Sequence, residues 1–260
     1  MVPHMPHLLV TNDDGVHAPG LAALAAALRP LGRVTVLAPE RNWSASGHVK
    51  TLHKPLRVHD TQLADGSPAL ACTGAPSDAV ALALLGLLDL PVDLVVSGIN
   101  PHANLGHDVT YSGTVTAAME ACIFGVPGVA VSTEHTQAIG YEPAAAMAAK
   151  VAAWVLDHGL PAGLLLNVNI PALPAGAIRG IKLTRQGQRV YRDALVTRQD
   201  PRGRPYYWIG GEDPSGLEDP GTDFAALAAG WVSITPLHLD LTADWAAAAL
   251  AGLVGPHPAA

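Results

Sequence analysis

The stretch Leu8-Leu-Val-Thr-Asn-Asp-Asp-Gly15 joins a short apolar run, prone to form a strand, to a cluster of turn-forming residues. Residues 20–31 follow, and leucines at spacings of three and four predict a helix there. Residues 34–37 form a second strand-like run, which Ala38-Pro39 ends. A strand, a helix and a second strand in this order are typical of a βαβ unit with parallel strands.

The same alternation continues as far as Ile170. Residues 92–96 are apolar on both sides, as a strand needs to be in a sheet that helices cover on both faces. We therefore predict an α/β fold with a mostly parallel central sheet between two helical layers. The other predicted elements are helices at 77–88, 114–124 and 143–158 and strands at 128–132 and 164–170.

The pattern changes after Pro171. Residues 181–212 hold strand-prone stretches around the turn Asp200-Pro-Arg-Gly203, which predicts a protruding β-hairpin arm. Six of the 11 arginines lie between Arg185 and Arg204, and the arm either crosses to a partner subunit or stays solvated. A helix at 223–230, a strand at 231–234 and a C-terminal helix from 243 complete the prediction. We expect one domain over 1–260: a body at 1–180, the arm at about 181–212 and a return to the body at about 213–260.

Composition and charge exclude several classes of protein. Hydrophobic residues make up 49% of the chain and charged residues 14%, which is enough for a sizeable core. A net charge of −7 with 15 Lys and Arg argues against a nucleic-acid polymer as partner. No apolar run reaches the roughly 18–20 residues of a membrane span, and no secretory signal is visible. We expect a cytoplasmic protein with two buried free thiols, Cys72 and Cys122.

Several signature motifs are absent from the sequence. It contains neither the dinucleotide-binding G-x-G-x-x-G pattern nor the phosphate-binding G-x-x-x-x-G-K-[ST] loop. It also lacks G-x-S-x-G, which weakens an assignment to the α/β-hydrolases. Any catalytic site must therefore be built from other residues.

Adjacent carboxylates at Asp13 and Asp14 directly follow the first predicted strand. In an open parallel sheet, ligands bind outside the carboxyl ends of the strands. Two neighbouring carboxylates repel each other, and a hard divalent cation such as Mg²⁺, Mn²⁺ or Ca²⁺ compensates for this repulsion. The alternative is an ordinary turn in which an Asp caps the next helix.

Two further polar loops follow strands at the same edge of the sheet. The segment Ser97-Gly-Ile-Asn-Pro-His-Ala-Asn-Leu-Gly106 precedes a helix that Ser112 is suited to cap, and the free N–H groups of such a first turn bind phosphate. The loop Arg41-Asn-Trp-Ser-Ala-Ser-Gly-His48 adds hydroxyls and a histidine, which is our preferred general acid. Each loop alone is compatible with simple capping or a solvated turn. Together they favour a metal-assisted phosphoester site over an acyl-transfer site.

At these residues the sequence resembles the SurE family of survival proteins and 5′-nucleotidases. The resemblance rests on residues 9–15, Ser97-Gly-Ile-Asn100 and Tyr111-Ser-Gly-Thr-Val115, and it continues through 38–42, Ser44, Pro55-Leu56, 74–78, 206–208 and 230–237. It implies a Rossmann-like three-layer α/β fold, with a hairpin and a C-terminal helical extension that build homodimers or homotetramers. One departure is His102, which stands where the family usually has glycine.

The resemblance also implies a site. It predicts one Mg²⁺ or Mn²⁺ ion per subunit, and a phosphate pocket beside it. The implied metal ligands are Asp13, Asp14, Ser44 and Asn100, and the implied substrate-binding residues are Gly47, His48, Asn104, Ser112, Gly113 and Thr114.

These observations lead to two hypotheses about function. The first is a metal-dependent phosphomonoesterase that hydrolyses nucleoside 5′-monophosphates, and also 3′-nucleotides and short polyphosphate, with Asp13, Asp14 and His48 as catalytic residues. The second is a non-catalytic oligomer that senses nucleotide or phosphate through the same pocket. Release of phosphate from a nucleotide distinguishes the two. A third option is a hydrolase specialised for polyphosphate or another phosphoester, which the arginines at 185–204 favour if the arm reaches a neighbouring subunit's pocket. Comparison of short polyphosphate with a nucleoside monophosphate tests this option.

Overall fold

The computed structural model describes residues 4–191, 193–211, 215–250 and 253. At its centre is a nine-stranded sheet in the order β3-β4-β2-β1-β5-β6-β7-β13-β8. These strands are β1 His7–Thr11, β2 Arg33–Pro39, β3 Val58–Gln62, β4 Pro68–Cys72, β5 Leu94–Asn100, β6 Gly128–Thr133, β7 Leu164–Ile170, β8 Ile181–Leu183 and β13 Val232–His238.

Strand β1 is the middle of the parallel part of the sheet. It pairs in parallel with β2 on one side and with β5 on the other. The parallel region extends outward to β4 and to β7, while β3 and β13 pair antiparallel with those two strands. The chain runs from β1 to β2 on one side, whereas β5 lies on the other side of β1. At such a switch point a crevice opens at the carboxyl ends of the strands.

Helices cover both faces of the sheet and give the predicted three layers. Successive side chains of β1 point to opposite faces. The helices are α1 Pro19–Leu28, α2 Pro76–Leu82, α3 Gly113–Ile123, α4 Glu142–His158, α5 Asp223–Ala228 and α6 Ala247–Leu250. Leu8 and Val10 belong to the apolar core formed with α1 and α4, whereas Leu9 belongs to the core formed with α2 and α3.

The predicted hairpin is present but is shorter than residues 181–212. It consists of β10 Asp193–Gln199 and β11 Pro205–Gly211, paired antiparallel. In the turn, an Asp200 carboxylate oxygen accepts hydrogen bonds from the backbone N–H groups of Arg202 and Arg204. Strand β8, at the start of the predicted arm, instead extends the main sheet beside β13. Between β8 and the hairpin, β9 Arg189–Val190 pairs with β12 Ser215–Gly216.

Other elements differ from the sequence prediction for local reasons. The sequence analysis did not predict strands β3 and β4. Strand β3 is a largely exposed edge strand of mixed polarity, which leaves it without a clear apolar pattern. Where a helix is predicted at 77–88, the α-helix ends at Leu82. A wider helical turn follows over Ala83–Leu87, and Gly86 within it has φ of +108°. The C-terminal helix expected from 243 is described only as α6 after a short 3₁₀ turn, and residues 251–252 and 254–260 lie outside the described part.

Cys72 and Cys122 are buried free thiols, as expected. Among the described residues, no helix has both the length and the apolar composition to cross a membrane.

The packing of α3 against β6 generates a stability prediction at Gly128. A Cβ atom there would lie 2.4 Å from the backbone oxygen of Ala118, so a side chain forces the helix away from the strand. We expect Gly128→Ala to lower the free energy of unfolding by about 1–3 kcal/mol, measured by urea denaturation. The matched control is Gly176→Ala, where a Cβ would meet nothing within 4 Å. Equal stability of the two variants would contradict this account of the packing.

Candidate active site

The two acidic residues lie at the carboxyl end of β1, where the crevice opens. Asp13 is only 3% exposed, and its Oδ1 accepts a hydrogen bond of 2.5 Å from the Thr114 hydroxyl. The first turn of α3 therefore touches the acidic pair directly. Gly113 makes this approach possible, because a Cβ there would lie 2.7 Å from the Asp13 Cβ.

Burial sets the electrostatics of the pair. It raises the pKa of Asp13 above its ordinary value, against hydrogen bonds that act in the opposite direction. Burial, and secondly the charge of Asp13, raise the pKa of Asp14 to about 7. Two carboxylates under this pressure are stabilised in their charged form by a cation between them.

The loop after β2 brings Ser44 to the same place. The backbone N–H of Trp43 donates to the backbone oxygen of Asp13 at 2.7 Å, which attaches the loop to the acidic turn. The Asn42 side chain accepts a hydrogen bond of 2.6 Å from the Ser44 N–H. Ser44 is thus held in a defined turn beside Asp13.

The loop after β5 contributes Asn100 and Asn104. The Asn104 backbone N–H donates to Asn169 Oδ1 at 2.8 Å, and its carbonyl accepts from the amides of Asn167 and Asn169. Its own amide donates to the Ser132 hydroxyl at 2.7 Å. Neighbouring strands β6 and β7 therefore hold this loop rigidly through buried polar side chains.

The three loops and the start of α3 line one pocket of about 250 Å³. Six predicted site residues meet there, and their oxygen donors suit a hard divalent cation. Carboxylates at Asp13 and Asp14, the Ser44 hydroxyl and the Asn100 amide are consistent with the predicted metal set. The lining residues are Asp13, Asp14, Ser44, Ala45, Asn100, His102, Ala103, Asn104, Asp108, Tyr111, Ser112 and Arg189.

The remaining predicted residues lie around this pocket. Gly113 and Thr114 support Asp13 from behind, while Ser112 caps α3 by accepting a hydrogen bond from the Val115 N–H. Gly47 donates from its N–H to the Tyr111 carbonyl at 2.9 Å. His48 is outside the lining, with its Nε2 2.9 Å from Glu120 Oε2. The catalytic role expected of His48 stays a prediction.

The sequence prediction did not place four polar residues of the pocket in the site: His102, Asp108, Tyr111 and Arg189. Arg189 comes from β9, distant in sequence, and its Nε lies 2.9 Å from Asp108 Oδ2. It is the one Lys or Arg among the described lining residues. The excess of arginine between 185 and 204 was the available signal, but it did not single out this residue.

Buried Asp223 docks the Arg189 segment onto the site. One of its carboxylate oxygens accepts from the Gly106 N–H and the other from the Gly187 N–H, each at 2.8 Å. Gln186 adds a hydrogen bond to the Gly106 carbonyl. Arg189 therefore reaches the pocket of its own chain.

Known proteins show a consistent similarity to this chain. The family model described as "Survival protein SurE" matches residues 8–193. A Herpetosiphon aurantiacus protein named 5′-nucleotidase SurE is 57% identical over 246 residues, covering 92% of this chain and 95% of the relative. A Chloroflexus aggregans protein of the same name is 56% identical, covering 91% and 94%. The crystal structure of the SurE protein from Aquifex aeolicus matches with a TM-score of 0.83 and 42% identity, covering 95% of this chain and 99% of that one.

The raised pKa of Asp14 generates a prediction for chelator-treated protein. Because the folded state binds the Asp14 proton more tightly than the unfolded state, this group's contribution to stability is lost as pH rises from about 4 to about 7. We expect Asp14→Asn to raise the free energy of unfolding at about pH 8 by about 1–2 kcal/mol. This is less than the full pKa shift would give, because Asp14 is partly solvated.

Urea denaturation at several pH values measures this effect. The control is Asp60→Asn, which removes an exposed carboxylate on β3 and should leave the pH profile of the parent protein unchanged. If the free energy of unfolding of Asp14→Asn has the same pH dependence as that of the parent protein, burial of the charged acidic pair does not destabilise the fold.

Proposed function

The chain belongs to the SurE family, and from this premise we propose that it is a metal-dependent 5′-nucleotidase. It hydrolyses nucleoside 5′-monophosphates to a nucleoside and inorganic phosphate. The observation that carries the proposal is the acidic pair beside the start of α3, with Asp13 buried and Asp14 half-buried. The pair lines a pocket whose other charged residues are Asp108 and Arg189 and whose remaining polar groups are oxygen and nitrogen donors.

The acidic pair is the centre of the proposed metal site. Asp13 and Asp14 would hold one Mg²⁺ or Mn²⁺ ion, with Ser44 and Asn100 as the other protein ligands. When bound there, the ion would supply Lewis-acid chemistry: it would polarise a phosphoryl oxygen and lower the pKa of a water molecule. The Thr114 hydroxyl fixes the Asp13 carboxylate in place, so that its second oxygen keeps one orientation.

The start of α3 and Arg189 form the proposed phosphate site. Ser112, which caps α3, lines the pocket, so the positive end of the helix dipole lies there and favours an anion. Arg189 adds a full positive charge on a guanidinium that Asp108 already orients. Guanidinium groups bind phosphate through paired hydrogen bonds, which fixes the orientation of the substrate.

Activity on 3′-nucleotides and short polyphosphate is part of the same proposal. The contacts proposed above all concern the phosphoryl group, so they are available to any phosphomonoester or terminal phosphate that fits. The proposal does not use His48 as general acid, because its Nε2 is bonded to Glu120 away from the pocket lining. We also propose a homodimer or homotetramer, in which the exposed Leu195, Trp208 and Ile209 of the hairpin contact a second copy.

The function is tested by measuring phosphate release from a panel of substrates with Mg²⁺, with Mn²⁺ and with chelator. We expect hydrolysis of nucleoside 5′-monophosphates that requires added metal. Asp13→Ala and Asp14→Ala should each lower kcat by at least about 10³-fold while the far-UV circular dichroism stays unchanged, because each removes a carboxylate of the metal site. Asp60→Asn, again the exposed control, should keep parental activity.

Three outcomes would contradict parts of this proposal. Full activity in chelator would exclude the metal role. Nucleotide binding without phosphate release would support the non-catalytic sensor instead. Faster hydrolysis of tripolyphosphate than of every nucleotide would identify polyphosphate as the preferred substrate.

A separate prediction concerns Arg189. We expect Arg189→Met to raise KM for a nucleoside 5′-monophosphate by about 10-fold or more, because a charged hydrogen bond to phosphate contributes about 1.5–3 kcal/mol. Steady-state kinetics measures this, and Arg189→Lys should recover part of the loss. Arg185→Met is the matched control, since Arg185 is exposed on the same segment and does not line the pocket. If the two Met variants have equal KM values, Arg189 does not bind substrate.

A further inference from the structure

We propose that Glu120 is a positioning residue that holds residues 44–50, hereafter the Ser44 segment, against α3 through His48 and Lys50. Through this attachment it sets the position of Ser44 opposite Asp13 and Asp14. The inference rests on the proposed function, because it assigns Ser44 to the metal site. It assigns His48 a structural purpose in place of the proton transfer expected from the sequence.

The first observation is a buried carboxylate whose cationic partners both come from the Ser44 segment. Glu120 is 1% exposed, in the middle of α3. Its Oε2 lies 2.9 Å from His48 Nε2, and its Oε1 accepts a hydrogen bond of 2.5 Å from Lys50 Nζ. Although burial acts to raise it, these hydrogen bonds leave the pKa of Glu120 below its usual value. A buried carboxylate is costly without partners, so the contacts fix the segment strongly.

The second observation is the alignment of three α3 residues at spacings of four. Ser112, Thr116 and Glu120 lie on one face of the helix, since residues four apart are neighbours on a helix surface. Ser112 lines the pocket, the Thr116 hydroxyl donates to the Gly47 carbonyl at 3.1 Å, and Glu120 binds His48 and Lys50. One helix face thus contacts both the pocket and the segment that supplies Ser44.

The third observation is that Ser44 lies between two attachments. Upstream, the Trp43 N–H donates to the Asp13 carbonyl. Downstream, Gly47 is bonded to Tyr111 and Thr116, and His48 and Lys50 to Glu120. Gly47 itself has φ of +63°, so the chain turns sharply just before the Glu120 contacts. The Val49 carbonyl also accepts a hydrogen bond from the Ser77 hydroxyl. Loss of the Glu120 contacts therefore removes the side-chain attachments at His48 and Lys50 and loosens the position of Ser44 without releasing the whole segment.

The experiment measures Mn²⁺ binding directly, by isothermal titration calorimetry and by the loss of the free-ion EPR signal. We expect Glu120→Gln to raise the Mn²⁺ Kd by about 10-fold, the usual size of an effect exerted through a metal ligand's supports. Lys50→Met should raise it less, by about threefold, because Lys50 is partly solvated and His48 remains. With a nucleoside 5′-monophosphate at saturating metal, most of the kcat/KM of each variant should return.

The matched control is Asp93→Asn. Asp93 also pairs with a histidine, His4, and accepts the His7 N–H at 2.7 Å, but it lies at the amino end of β1, opposite the pocket. Its loss should lower thermal stability and leave the Mn²⁺ Kd unchanged. This separates general destabilisation from an effect on the position of Ser44.

A double-mutant cycle tests the route of the effect. In a His48→Ala/Lys50→Met background, Glu120→Gln should raise the Mn²⁺ Kd no further, because the contacts through which it acts are already gone. Additive effects, or a Glu120→Gln Kd equal to that of Asp93→Asn, would overturn the inference. If Glu120→Gln does not fold, Lys50→Met alone decides, and an unchanged Kd refutes the role. Failure of the parent protein to bind Mn²⁺ would instead refute the proposed function.

Discussion

The structure depends on two neighbouring carboxylates held at the end of a fully buried strand. Asp13 and Asp14 follow directly from β1, whose five residues are all buried, so neither can turn away from the crevice without disturbing the core. Their burial opposes their charge and raises their pKa values. Such an arrangement is unfavourable for folding, and pKa values raised in this way are concentrated at functional sites.

Helix α3 is the common support of the features around the acidic pair. Its start contacts Asp13 through Gly113 and Thr114, and its capping residue Ser112 lines the pocket. Its middle carries Glu120, which binds the Ser44 segment. Because α3 also lies very close to β6 at Gly128, it has little freedom to shift along the sheet. The fixed position of α3 therefore helps to fix two separate walls of the pocket.

The sequence predicts those parts of the fold that local patterns encode. The alternation of apolar strands and helices predicts β1 and α3 with bounds close to those observed, whereas β5 is predicted at 92–96 and runs over Leu94–Asn100. It does not reveal β3, because the exposed residues of that strand have no period-two pattern. It also does not reveal that β13 runs antiparallel, since this direction is determined by the pairing of β13 with β7. Strand ends in a parallel sheet converge by geometry, so Asp13, Ser44 and Asn100 could be grouped from sequence alone. Residues that reach the pocket through tertiary docking could not.

Arg189 is a residue that reaches the pocket through tertiary docking, and it also contributes to the charge balance of the pocket. Its arrival depends on Asp223, which binds backbone groups of two separate loops, an arrangement that no local pattern encodes. Among the described lining residues, the carboxylates of Asp13, Asp14 and Asp108 outnumber this one guanidinium. The charged forms of these carboxylates oppose the approach of a phosphate dianion, since like charges repel each other strongly where water is partly excluded. On the proposed function, a divalent cation held by Asp13 and Asp14 would offset this repulsion, so the same two side chains would link metal binding to phosphate binding.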